Sequence, residues 1–120
     1  MTFGDALKRL AEKEPDKFRV GTSNSITYNG SPDYFEWLKD EWEFAWIEDE
    51  AWSQDSIDEI LALIGWEFWV TPIDFEELVG TWTYHIRHGK SHRYNVMMQY
   101  DTKLDAAKQA LIAVVKKYAI

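Results

Sequence analysis

Between Asp33 and Glu59, eleven carboxylates (Asp33, Glu36, Asp40, Glu41, Glu43, Glu48, Asp49, Glu50, Asp55, Asp58 and Glu59) are interleaved with four tryptophans, Trp37, Trp42, Trp46 and Trp52, and one base, Lys39. Burying an unpaired carboxylate is costly, and so is leaving an indole in water, so a chain like this must part the two sets onto different faces. The stretch carries a net charge of −10 against −8 for the whole molecule, which makes the acidity a local property. A strongly negative patch repels nucleic acid and anionic lipid and attracts basic partners.

At 120 residues and 46% hydrophobic content the chain suits a single domain around one core. Nineteen aromatic residues, seven of them Trp, are more than a small core takes up, so some are expected at the surface, where Trp beside acid makes a binding face. Without cysteine there is no disulfide framework, thiolate nucleophile or Cys-ligated metal, a composition that fits a reducing compartment. Met1-Thr2-Phe3-Gly4-Asp5 lacks the basic start and apolar run of a signal peptide, and no stretch reaches the roughly 20 apolar residues of a membrane span. The expected location is cytoplasmic, with no membrane contact and no direct nucleic-acid binding.

Apolar spacing predicts a helix over about Thr2 to Glu14, stopped by Pro15 and packed on a sheet. Phe18 to Val20 and Ser25 to Tyr28 are short extended runs. Ser31-Pro32, with Asp33 behind, reads as an N-cap followed by a first-turn proline and predicts a short helix to about Lys39. The period then changes to two, so Glu41 to Ile47 is expected as a strand with Trp42, Phe44 and Trp46 on one side and Glu43, Ala45 and Ile47 on the other. Ser53 opens a helix that buries Ile57, Ile60, Leu61 and Ile64 and ends at Gly65; Trp66 to Thr71 is extended and closed by Pro72. Asp74 to Gly80 reads as a mobile loop. Two strands, Trp82–Arg87 and Arg93–Tyr100, flank a turn at Gly89-Lys90; the two-residue hairpin rule pairs Arg87 with His92 and Ile86 with Arg93. Thr102-x-x-Asp105 caps a final helix striped by Leu104, Ala107, Leu111, Val114, Val115 and Tyr118. The fold class is therefore α+β: one compact domain, mostly antiparallel sheet, with about four helices.

Two surfaces carry candidate chemistry. The acidic stretch either is the solvated side of elements whose aromatics face inward, or imitates the phosphates of a nucleic acid and occupies a partner's basic groove. Its net charge compares with duplex DNA, which carries about one charge per 1.7 Å of axis. On the second reading Glu36, Asp40, Glu41, Glu43, Glu48, Asp49 and Glu50 bind the partner, with Trp37 and Trp52 as aromatic anchors. The basic tip holds Arg87, His88, Lys90, His92 and Arg93, and is either a solubilising hairpin end or a site for an anionic nucleotide. His85, His88 and His92 make a poor metal set, because His85 and His88 alternate to opposite strand faces. The adjacent acid pairs Glu76-Glu77 and Asp49-Glu50 have no placed nucleophile. With no nucleophile elbow and no phosphate-cradling glycine loop, neither an enzyme activity nor a cofactor is expected.

Phe3-Gly4-Asp5-Ala6-Leu7-x-x-Leu10 and Leu38-Lys39-Asp40-Glu41-Trp42-Glu43-Phe44 resemble the first half of small phage-encoded proteins of the Thoeris anti-defence type. Gly65-Trp66, Trp82-Thr83-Tyr84 and the run from Tyr100-Asp101-Thr102 to Ala110-Leu111 are similar to phage proteins of the α/β-sandwich kind. The resemblance implies a fold and a phage origin, and no activity. Together with the charge it frames three expectations. The first is a non-enzymatic counter-defence (anti-CRISPR-like) inhibitor of a basic, nucleic-acid-handling host protein such as a defence effector or nuclease. The second is a sponge for an anionic nucleotide signal, and the third an assembly protein whose acidic face meets the basic tip of a second copy.

Overall fold

The first helix starts where the sequence places it. The computed structural model describes residues 1–22, 33–47, 52–73, 80–89, 91–94 and 98–118, and α1 spans Phe3–Lys13 within them. Thr2 and Asp5 form a reciprocal capping box: the Thr2 hydroxyl accepts from the Asp5 N–H at 3.1 Å, and the Asp5 carboxylate accepts from the Thr2 N–H at 3.0 Å. That main-chain bond from Thr2 holds the Asp5 carboxyl below the usual carboxylate range. The helix ends at Glu14, ahead of Pro15, and buries Ala6, Leu7 and Leu10.

Three strands follow, β1 (Phe18–Thr22), β2 (Asp33–Leu38) and β3 (Trp42–Trp46), in an antiparallel sheet of that order. The helix expected up to Lys39 is instead β2. Phe35 and Trp37 point into the core while Tyr34 and Glu36 alternate to the other side, and the run of Tyr34, Phe35 and Trp37 suits a pleated surface flanked by two partner strands. The Ser31-Pro32 cap and the Ser25–Tyr28 strand lie outside the described residues. β3 matches the strand expected over Glu41 to Ile47, shorter by one residue at each end.

Helix α2 spans Gln54–Leu63, capped by the Ser53 hydroxyl, which accepts from the Ser56 N–H at 3.1 Å; Gly65, with φ 78°, terminates it. A second antiparallel sheet comprises β4 (Trp66–Ile73), β5 (Thr81–His88) and β6 (Ser91–Tyr94). β4 runs through Pro72 rather than stopping there. Trp82, opposite Pro72, gives both its N–H and its C=O to Tyr100 on the far side, so the missing proline N–H falls on the open edge of β4. The β5–β6 ladder pairs Arg87 with His92 and Ile86 with Arg93, as the hairpin rule predicts, and Gly89 takes the positive φ (62°) that a tight turn of this kind needs. The loop expected at Asp74 to Gly80 lies outside the described residues except for Gly80 itself.

The last helix, α3 (Lys103–Tyr118), is capped by the Thr102 hydroxyl, which accepts from the Asp105 N–H at 3.0 Å. Its small Ala106, Ala107 and Ala110 and its larger Leu111, Val114 and Val115 are all buried, so it approaches closely and packs on β4, β5, α1 and α2. α1 in turn lies on β1. One continuous core therefore joins Phe18, Phe35 and Trp37 of the first sheet to Phe68, Tyr84 and Ile86 of the second. Three helices, not about four, occur among the described residues. None of them is long and apolar enough to cross a membrane.

Candidate protein-binding face

The ladder of the first sheet decides which side chains share a face. Arg19, Glu36 and Phe44 lie in one cross-strand row, and Gly21, Tyr34 and Trp46 in the next. Trp42 stands at the end of the same face, opposite Leu38. The other face carries Phe18, Phe35, Trp37, Ala45 and Ile47 toward the helices. The period-two reading of β3 is thus right, and the side of Ala45 and Ile47, with Glu43 at its exposed end, packs inward rather than the aromatic side.

On the outer face the aromatic rings pack against each other instead of the core. Tyr34 meets Phe44 and Trp46 edge-on at centroid distances of 6.3 and 6.0 Å, and Phe44 meets Trp46 at 5.8 Å and 80°. Edge-to-face pairs of this kind contribute roughly 0.5–1.5 kcal/mol each beyond the area they bury. A side chain at position 21 would occupy the space of the Tyr34 ring, since a Cβ there would lie 2.3 Å from it; glycine lets the ring lie flat across β1. The Arg19 guanidinium sits 3.7 Å from the centroid of Trp42. Phe44 remains 57% exposed, an unusual fraction for a phenylalanine held in a sheet.

Carboxylates border this face. Glu36 lies on it, between Arg19 and Phe44; Asp40 and Glu41 are exposed in the turn joining β2 to β3. Glu43 is exposed too but leaves from the opposite side of β3, where a groove of about 560 Å³ runs between β3 and α2 and is also lined by Ser56 and Glu59. Glu59 accepts from Lys39 at 2.9 Å and from the Trp37 indole N–H at 3.1 Å, and the Lys39 bond chiefly holds its carboxyl below the usual range. Asp58 is shifted the other way, first by burial and then by the neighbouring Asp55, Glu59 and Glu67 carboxylates. Within α2, Glu59 is thus compensated by Lys39, while Asp58, among the described residues, meets only like charges.

Trp37 and Trp52 are not surface anchors. They are 4% and 3% exposed, tilted against each other at 5.8 Å, and packed with Phe35, while Phe3 meets Trp52 edge-on. Both indole N–H groups are satisfied from within, Trp37 by Glu59 and Trp52 by the carbonyls of Trp46 (2.9 Å) and Ile47 (3.2 Å), which makes full burial inexpensive. Of the expected acidic set, Glu36, Asp40, Glu41 and Glu43 are brought together around the β2–β3 pair; Glu48, Asp49 and Glu50 lie outside the described residues. Sequence reasoning missed Arg19, Tyr34, Phe44 and Trp46. The period of β3 was the available signal, but reading Asp33–Lys39 as helix removed the neighbouring strand that would have shown where Tyr34 lies.

Two residues of the basic tip, Arg87 and His88, are engaged within the second sheet. Arg87 is ion-paired with Glu67 and leans over Trp69 at 5.8 Å, and His88 stacks on Trp66 at 4.8 Å. His92 and Arg93 stand opposite Arg87 and Ile86 in the ladder, and Lys90 lies outside the described residues. His85 stacks on Trp69 with its Nε2 2.8 Å from the Thr71 hydroxyl, on the sheet face opposite His88.

The arrangement defines a small α+β protein in which two three-stranded antiparallel sheets share a set of helices and, among the described residues, the outer aromatic face of the first sheet lies outside the core. No protein-family model matches the chain, and no curated protein or solved structure matches it.

Proposed function

We propose that this chain is a non-enzymatic binding protein that occupies a basic, nucleic-acid-handling protein and blocks it, in the manner of a phage counter-defence inhibitor. The observation that carries this reading is the outer face of the first sheet: Tyr34, Trp42, Phe44 and Trp46 form an open aromatic surface bordered by Glu36, Asp40, Glu41 and Glu43. Aromatic anchors supply desolvated contact area at low entropic cost, and the carboxylates steer a cationic partner and set its orientation. The partner's groove is one built for phosphates, because Glu36 on the sheet, Asp40 and Glu41 in the adjoining turn and Glu43 at the edge offer it clustered negative charges. The phage assignment rests on the resemblance of the first and last segments to phage proteins.

The test is capture from bacterial lysate at low and high salt, followed by affinity measurement on the purified partner. Replacing Glu36, Asp40, Glu41 and Glu43 by their amides is expected to weaken binding at least about tenfold, chiefly through a slower association rate, and to flatten its salt dependence. Arg87→Ala is expected to leave affinity unchanged. Equal affinity of the amide variant and the parent, or a captured partner with no competition from duplex DNA, overturns the reading.

A further inference from the structure

The hydrogen-bond parity of the first sheet leaves one strand edge available beside a negatively charged groove. The Ile47 N–H bonds the Asp33 carbonyl at 3.1 Å and the Lys39 N–H bonds the Glu41 carbonyl at 3.1 Å, so the odd-numbered residues of β3, Glu43 and Ala45, exchange main-chain bonds with β2. Trp42 and Phe44 therefore turn their N–H and C=O groups away from β2, toward the groove between β3 and α2. No strand among the described residues pairs with that edge. Its far end is closed, because the Trp46 carbonyl accepts the Trp52 indole N–H.

We propose that this edge is where a partner docks: an extended, basic segment adds to β3 as a fourth, antiparallel strand, with its lysine or arginine side chains directed to Glu43 and Glu59. The inference rests on the reading above and specifies which part of a basic partner the face takes. Main-chain bonds to Trp42 and Phe44 supply the docking, and side chains supply the selection. A residue directly opposite Phe44 shares its face, so it packs on the exposed ring and is apolar or β-branched. Its neighbours in the segment point the other way, into the groove, where Glu43 is exposed and Glu59, already paired with Lys39, adds a second carboxylate. The same geometry disfavours a second copy of this chain. Two β3 edges brought together would set the Glu43 and Glu41 carboxylates of one against those of the other, the inward-facing charge that edge strands use to prevent self-pairing.

This geometry predicts which nitrogens of the incoming segment matter. In a capped peptide of lysine–valine repeats, valine sits opposite Phe44 and exchanges both main-chain bonds with it, while the lysine N–H groups face solvent. Two peptides of identical charge and composition then separate strand addition from charge attraction: one methylated on the valine main-chain nitrogens, the other on the lysine main-chain nitrogens. The lysine-methylated peptide is expected to bind as the parent peptide does and to slow amide exchange at Phe44. The valine-methylated peptide is expected to bind at least about tenfold more weakly, the equivalent of one lost charge-free hydrogen bond or more. Glu43→Lys is expected to abolish binding of the lysine peptide and create binding of the matching glutamate–valine peptide. Equal binding of the two methylated peptides overturns strand addition and leaves the charged-face reading intact. Binding of neither the parent nor the methylated peptides also overturns it, and the amide variant of the preceding section then decides the charged-face reading by itself. Loss only on lysine methylation overturns the antiparallel register.

Discussion

Tryptophans four to six residues apart in one acidic stretch serve opposite ends. Trp52 is locked by two carbonyl acceptors and three aromatic neighbours, whereas Phe44, two residues from Trp46, keeps more than half its surface in water. Substituting each by alanine should separate the roles. Trp52→Ala is expected to lower unfolding free energy by roughly 3–5 kcal/mol, the range for emptying a large aromatic site in a core. Phe44→Ala is expected to lower it by roughly 1–3 kcal/mol, the value of its two edge contacts with Tyr34 and Trp46 and less than the Trp52 loss. Urea unfolding of the two variants against the parent measures both, and a Phe44→Ala loss as large as that of Trp52→Ala would place Phe44 in the core instead of on a binding face. Neither role follows from residue type. The role of Trp52 follows from the Trp46 and Ile47 carbonyls that accept its indole N–H and that only the fold brings near, and that of Phe44 from the sheet face on which it stands.

At the scale of elements, Glu59 ties α2 to the first sheet. It takes a charge-assisted bond from Lys39 in the β2–β3 turn and another from the Trp37 indole on β2. Because the folded carboxyl is held below its ordinary value, this link stabilises the protein fully above the usual carboxylate range, and the contribution is lost as pH falls through the lowered value. Asp58 acts in the opposite sense: its carboxyl is raised, first by burial and then by Asp55, Glu59 and Glu67, so protonating it on acidification relieves both the desolvation of its charge and the repulsion. Glu59→Gln is expected to cost about 0.5–1 kcal/mol near neutral pH, as befits a partly exposed pair, with the difference from the parent closing as pH falls through the lowered Glu59 value. Thermal unfolding measured from neutral to acid pH tests this; a difference that persists undiminished in acid would mean that packing, not charge, holds the link. Among the elements themselves, α1, α2 and the β5–β6 hairpin were legible because their signals are local: apolar spacing with a proline stop, a serine cap with a glycine stop, a two-residue turn. β2 was not. Ser31-Pro32-Asp33 carries a helix-start pattern, and pairing with strands on both sides, set by residues distant in sequence, overrides it.

For the whole molecule, α3 decides how the parts hold together. It covers the second sheet and packs on α1 and α2, and α1 covers β1, so neither sheet has a core of its own. Leu111→Ala, at a fully buried position on α3, is expected to destabilise by roughly 2–5 kcal/mol. It should also shift the unfolding transitions of both sheets together, whether followed by tryptophan fluorescence or by far-ultraviolet circular dichroism. Separate transitions would mean that the two sheets are independent units.

The sequence alone determined the quantities that depend on neighbours along the chain: the extent of α1, the caps of α2 and α3, the register of the β5–β6 hairpin, the period of β3, and the concentration of charge between Asp33 and Glu59. What only the tertiary structure decided was direction. Whether Trp37 or Phe44 faces water, and whether Trp42 and Phe44 turn their main-chain groups toward β2 or toward the groove, depends on which sheet face the helices cover and which strands lie alongside. Alternation along a strand fixes the division into two sides but not which side is inside, because that is set by contacts with α1, α2 and α3 from distant parts of the chain.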